Sequence, residues 1–355
     1  MLMAVLSFLV PLALILGGAE LLVRGASRLA VSWGISPLVV GLTVVAFGTS
    51  SPELAIAIGS VIGGESDLAV GNVVGSNIAN VLLILGLSAA LAPLVVRSQL
   101  VRFDVPVMIA ASVLVLLFSL DGVIGAVDGV ALVAALAIYL VVLIRRSRRE
   151  TPDVVDQFGQ EYGDVPPSPV RNISLALAGL ALLVVGSNLL VDAAVALAEQ
   201  IGVSQLVIGL TVVAVGTSLP EIATSLVALA RGARDIAVGT AIGSNIFNLL
   251  AVLGITGLVA PQGVSVAQGV LDFDLPVMVV VAAACIPIFF TGHRIVRWEG
   301  VLFLGYYFAY TVFLFLRATE HDALEPFSTT MIWFVVPLTV LTISATVIRA
   351  RRNLQ

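Results

Sequence analysis

Two glutamates, Glu53 and Glu221, each stand inside an otherwise apolar stretch, and the two stretches are near copies: GLTVVAFGTSSPEL at 41–54 and GLTVVAVGTSLPEI at 209–222. An ionised carboxylate in hydrocarbon is strongly disfavoured unless it faces a polar cavity or an opposite charge. Two of them at equivalent places in a duplicated sequence therefore predict one shared binding site. The guest that suits two such acids is a cation.

The surrounding residues fit that chemistry. In each copy a proline, Pro52 or Pro220, precedes the glutamate. Proline lacks an N–H and its ring clashes with the carbonyl four residues back, so the helix is expected to break there, eased by Gly48 or Gly216. Carbonyls around Ala46 to Thr49 and Ala214 to Thr217 are then expected to lose their usual donors. Unwound backbone at membrane depth is tolerated only where it lines a cavity or is buried in protein. Thr49 and Glu53, like Thr217 and Glu221, are four apart and can share a helical face. A second duplicated block, GNVVGSNIAN at 71–80 and GTAIGSNIFN at 239–248, adds Ser76 with Asn80 and Ser244 with Asn248. All are hard oxygen donors without a neighbouring His or Cys, which suits Ca²⁺, Na⁺ or Mg²⁺ and not zinc or copper.

Proline kinks and small-residue blocks are also ordinary packing devices in membrane helices, so either feature alone is weak. The duplicated glutamates with their hydroxyls are not explained by packing. Asp104 and Asp274, each just ahead of a proline, are read as interfacial caps. Glu20, Asp192, His293 and His321 are expected to face water or headgroups. Cys285, the single cysteine, is read as a small core residue.

The elements that must position these groups follow from composition. With 59% hydrophobic and 11% charged residues among 355, the chain has too little polar surface for a soluble globule. Spans are expected near 3–30, 36–63, 68–92, 104–120, 126–145, 171–199, 204–230, 236–260, 274–291, 298–317 and 328–348. The apolar N-terminal stretch has no basic flank and has an internal copy, so it is expected to be a structural helix and not a cleaved leader. The first five spans match the next five. An odd number per repeat makes the second enter from the opposite side, which predicts an all-α polytopic protein of two inverted five-helix repeats plus an eleventh helix. The expected divisions are 1–145, a cytoplasmic linker at 146–170 rich in charge and proline, a second half at 171–317, and an extra helix with a basic tail at 318–355. Arginines at the alternate connections, among them Arg24, Arg97, Arg102, Arg231, Arg234, Arg294 and Arg297, predict the N-terminus outside and the C-terminus cytoplasmic in a cell (inner or plasma) membrane. Sparse aromatics argue against nucleic acid as a partner, which leaves inorganic cations and lipid; oligomeric state is not legible.

The paired GTSxPE and GSNxxN blocks, in inverted halves, resemble the alpha repeats of the calcium/cation antiporter superfamily, and the chain looks like a prokaryotic sodium/calcium exchanger. The resemblance implies cation ligands at Ala46 (carbonyl), Thr49, Ser50, Glu53, Ser76 and Asn80, and at Ala214 (carbonyl), Thr217, Ser218, Glu221, Ser244 and Asn248. It implies Ca²⁺ and Na⁺ as transported ions, no cofactor, and a secondary transporter in place of an enzyme. Some members carry aspartate where this chain has Asn80 or Asn248, a difference associated with potassium dependence. The proton-coupled branch typically has Asn-Ala where this chain has Thr49-Ser50 and Thr217-Ser218. Sodium-coupled, potassium-independent exchange is thus expected. A calcium/proton exchanger, a passive cation channel and an intramembrane hydrolase using two acids stand as rivals.

Overall fold

The computed structural model describes residues 2–33, 35–64, 66–147, 168–200, 214–290, 292–342 and 344. Among them ten helices are long and apolar enough to cross a bilayer: Leu6–Ala30, Leu38–Ile62, Leu68–Leu91, Leu100–Phe118, Ala126–Ser147, Pro169–Gln200, Arg234–Val259, Val270–Phe290, Arg297–Ala318 and Leu324–Thr342. These are spans one to six and eight to eleven. Span seven is represented by Ala214–Thr217 and Leu219–Ala230. Its expected first part, 204–213, lies outside the described residues, as do 148–167 of the expected linker and nearly all of the tail beyond Thr342. The all-α polytopic architecture is as expected. Span eight is buried along its whole apolar window and span eleven nowhere, so the first is the centre of the bundle and the second lies on its rim.

Each half reaches into the other. Gly129 of span five lies so close to span eight that an added Cβ would sit 2.6 Å from the Gly254 carbonyl, and Gly300 of span ten would meet the Gly86 carbonyl of span three at 2.7 Å. The fifth helix of each half thus packs on the third helix of the other, the reciprocal exchange that two inverted halves require. Short connections repeat the exchange: β1 (Leu94–Val95) pairs antiparallel with β4 (Arg294–Ile295), and β2 (Val123–Ile124) with β3 (Val264–Ser265). At two residues each, these ladders are too short to leave an alternating pattern in the sequence. Spans one and six run in backbone contact, since a Cβ on Gly18 would lie 2.7 Å from the Gly179 carbonyl. Only glycine permits that approach.

Two expectations change. Spans four and nine begin at Leu100 and Val270, four residues before the expected 104 and 274. A widened π-helical turn, Leu100–Asp104 or Val270–Asp274, precedes Pro106 or Pro276 and carries the helix past a residue that would otherwise start it. Asp104 and Asp274 also do not serve as interfacial caps. Asp104 is fully buried, makes no capping bond, and accepts from the Tyr139 hydroxyl at 3.1 Å and from Gln99 Nε2 at 3.3 Å. Asp274 accepts from the Tyr310 hydroxyl at 2.7 Å. In both halves the aspartate ties the fourth helix to the fifth. Glu20, expected to face water or headgroups, keeps 23% of its side chain exposed and pairs there with Arg24 and Arg231.

Candidate cation site

The site is built on the two broken helices. In the first copy a helix ends at Thr49, Ser50 forms a turn, and a new helix starts at Ser51 with Pro52 in its first turn, where a missing N–H does no harm. Pro52 deprives the Gly48 carbonyl of its usual donor, and the Ser51 hydroxyl takes that place at 2.6 Å. The second copy breaks at Ser218, between Ala214–Thr217 and Leu219–Ala230. Leu219 stands where the first copy has Ser51, so the Gly216 carbonyl gains no such hydroxyl from its own motif.

The interruption is narrower than the proline alone suggests. The Ala46 carbonyl, expected to lose its donor, still accepts the Ser50 N–H at 3.0 Å and the Thr49 hydroxyl at 3.4 Å. In this copy helical bonding resumes on both sides of one turn residue, whereas in the second copy the Ser218 N–H bonds the Val215 carbonyl at 3.1 Å. A carbonyl has two lone pairs, and the longer of the Ala46 contacts is readily exchanged for a guest.

Across the halves, two pairs of the expected residues meet. Thr49 Oγ1 lies 3.3 Å from Ser244 Oγ. Glu53 and Glu221 are each 1% exposed, and their carboxylates are electrostatic neighbours. Ser50, Ser76, Asn80, Ser218 and Asn248 are all buried. Ala214 heads its helix at the edge of the described residues, and Thr217 is half-buried. A large share of these polar atoms lack protein partners: the hydroxyls of Ser50 and Ser218, Glu53 Oε2, both oxygens of Glu221, Asn80 Oδ1 and both polar atoms of the Asn248 amide. Buried polar groups are normally satisfied, and a buried unpaired carboxylate is penalised by several kcal/mol. Orphaned carboxylate, hydroxyl and amide oxygens of this kind are groups that a positive guest satisfies. Among the described residues no cluster of three or more His, Cys, Asp or Glu is present, so neutral oxygens must complete any coordination shell.

Two residues the motif reading passed over brace these groups. Asn245 accepts from Asn80 Nδ2 at 3.0 Å and donates through Nδ2 to the Asn77 carbonyl at 3.2 Å. Asn77 donates to the Val73 carbonyl of its own helix at 2.7 Å. Both asparagines were visible in the GSN blocks, but nothing in their spacing separates a ligand from a brace. Asn245→Leu leaves two buried groups unpaired, at about 1–3 kcal/mol each. It is expected to lower the midpoint of thermal unfolding in detergent by several degrees, while Asn77→Leu, which breaks a bond within one helix, has the smaller effect.

The family model described as "Sodium/calcium exchanger protein" matches residues 3–145 and 172–316, one match to each half. The "Putative antiporter CaxA" of Alkalimonas amylolytica is 38% identical over 319 residues, covering 89% of this chain and 99% of that protein. The "Sodium/calcium exchanger MaX1" of Methanosarcina acetivorans is 33% identical over 344 residues, covering 87% and 98%. Among solved structures, the sodium-calcium exchanger NCX_Mj superposes with a TM-score of 0.74 at 31% identity, covering 86% of this chain and 97% of that one. Family, inverted architecture and duplicated blocks agree: this multi-pass membrane protein belongs to the sodium/calcium exchanger family and is a cation antiporter.

Proposed function

We propose that the chain exchanges Na⁺ for Ca²⁺ by alternating access at one site shared by Glu53 and Glu221. Support comes chiefly from the burial of both glutamates beside each other with unpartnered oxygens on each. Ca²⁺ is neutralised by the two carboxylates and completed by the Ala46 and Ala214 carbonyls, amide and hydroxyl oxygens, and water. Na⁺ ions occupy smaller sets drawn from Thr49, Ser50, Ser76, Asn80, Thr217, Ser218, Ser244 and Asn248. Because these sets share their hydroxyl and amide oxygens with the Ca²⁺ shell, one cargo must leave before the other binds.

Coupling follows from the empty state. Two bare carboxylates resist enclosure away from water, so the unloaded protein is held back from changing sides. Spans one and six form the moving pair, consistent with their backbone contact at Gly18 and Gly179. The remaining core stays fixed around the site. If three Na⁺ cross per Ca²⁺, one net charge moves per cycle, and a potential of about 100 mV contributes about 2.3 kcal/mol. With the N-terminus outside, inward sodium expels calcium. The divisions at 1–145, 146–170, 171–317 and 318–355 belong to the same reading, with the linker cytoplasmic.

The test is ⁴⁵Ca²⁺ uptake into proteoliposomes with Na⁺, K⁺ and H⁺ gradients imposed one at a time. Uptake should follow the sodium gradient and ignore potassium. Uptake driven by a pH gradient without sodium would instead make the protein a calcium/proton exchanger, and steady conductance without a counter-ion would make it a channel.

A further inference from the structure

We infer that a second cation station, made of neutral oxygens and suited to Na⁺, lies one helical turn from Glu221 on the side of the span seven to eight connection; the inference rests on the exchanger reading above. Its residues are Thr224, Ser225 and Thr240. All three are fully buried, and their hydroxyl oxygens have no hydrogen-bond partner. A hydroxyl on a membrane helix has a local default, the carbonyl one turn back. Thr43, Ser112, Ser119 and Thr311 each take it, at 2.6, 2.9, 2.8 and 3.0 Å. Thr224, Ser225 and Thr240 do not, and an unsatisfied hydroxyl in an apolar interior carries a desolvation penalty that a guest would relieve.

Their placement makes them a continuation of the central site. Thr224 and Ser225 follow Glu221 by three and four residues in the helix Leu219–Ala230, hence on the glutamate's face. Only Arg231, Gly232 and Ala233 separate this helix from Arg234–Phe247, so the two pack antiparallel. Thr224 lies six residues before Ala230 and Thr240 six after Arg234, which sets them on one level. Thr240 is also one turn from Ser244. A polar seam therefore runs from Glu221 and Ser244 towards the connection. The first half has no counterpart: the equivalent positions hold Ile56, Ala57 and Asn72, and the unpartnered atom of Asn72 is its amide nitrogen, a donor.

The chemistry selects the cargo. Three hydroxyl oxygens offer dipoles without charge, enough to hold a partly hydrated monovalent ion and too little to replace the water of a divalent one. At the outer end of the seam, Arg231 makes a two-point pair at 2.6 and 2.9 Å with Glu20, an acid it shares with Arg24, and Arg234 Nη1 donates to the Pro93 carbonyl at 3.3 Å. Both guanidinium groups are thereby tied to fixed partners. The station gives Na⁺, and not Ca²⁺, a resting place on one face of the membrane only.

The test is the triple variant Thr224→Val, Ser225→Ala, Thr240→Val, which keeps side-chain volume, in sealed vesicles of each orientation. The half-saturating Na⁺ concentration on the Arg231 and Arg234 face should rise about five-fold, with Na⁺ on the opposite face and Ca²⁺ on both changing less than about two-fold. An equal rise on both faces, or none, overturns the proposal. If the variant loses its fold by gel filtration, wild-type protein is crystallised with thallium(I) as a heavy monovalent stand-in. Anomalous density against Thr240 Oγ1 sustains the station, and density confined to the glutamates removes it. Sodium-driven calcium uptake by wild-type vesicles, measured alongside, tests the exchanger reading separately, and its absence strikes that reading whether or not thallium binds at Thr240.

Discussion

Glu53→Gln and Glu221→Gln are each expected to cut sodium-driven ⁴⁵Ca²⁺ flux by at least about 100-fold, while the protein still elutes and melts as a folded membrane protein. Removing one partner from a buried charge interaction costs about 3–5 kcal/mol, and each 1.4 kcal/mol is about ten-fold in affinity. Glutamine keeps the shape and one oxygen, so the loss isolates the charge. The fold should persist because Glu53 Oε2 and both Glu221 oxygens lack a partner at hydrogen-bond distance, and glutamine keeps an oxygen for the longer contacts with the backbone and Thr49. With both negative charges gone in the double variant, the site should bind no Ca²⁺ at all. Near-normal flux in both single variants would eliminate the shared-carboxylate mechanism. Loss in one variant alone would place the divalent ion beside that glutamate and leave the other a lesser role.

Asn248→Asp should act in the opposite direction on binding and in the same direction on turnover. Asn248 is fully buried, and neither polar atom of its amide has a partner. A carboxylate there adds a third charge to a site that holds two, and ligand charge count is a principal determinant of Ca²⁺ affinity. The half-saturating Ca²⁺ concentration is expected to fall about ten-fold or more, the worth of about 1.4 kcal/mol. More Na⁺ is then needed to displace the bound ion, so maximal exchange slows. Asn80→Asp is the informative control. Asn80 Nδ2 donates to Asn245 at 3.0 Å, and an aspartate cannot donate there, so this variant should lose stability as well. Equal Ca²⁺ affinity in wild type and Asn248→Asp would place residue 248 outside the coordination shell.

Much of this molecule is legible before any coordinates. The length and apolarity of the runs fix the helical spans, because backbone groups in lipid must be satisfied within the segment. The match between halves with an odd span count fixes their inversion. Pro52 and Pro220 locate the helix breaks to within a residue or two. Other features leave little trace. The π-helical turns at 100–104 and 270–274 depend on how a helix passes a proline, which no local pattern records, and the buried Asp104 looks in sequence like any aspartate near a helix start. Asn245 cannot be told from Asn77 by type or spacing, yet only Asn245 bridges to the other half through its side chain in both directions.

The sequence by itself determined the parts list: two acids, their hydroxyls and amides, two broken helices, and the membrane as solvent. Those are local properties, set by residue type, by proline's missing donor and by the price of charge in hydrocarbon. Tertiary structure alone decided which groups meet. Thr49 is 195 residues from Ser244 and Asn80 is 165 from Asn245, and only the interlocking of inverted halves brings them within hydrogen-bonding distance. It also decided which donors are already used, as at Gly48, and which oxygens remain open. A binding site is made of unsatisfied groups held close together, and neither closeness nor satisfaction is a property of the chain in order.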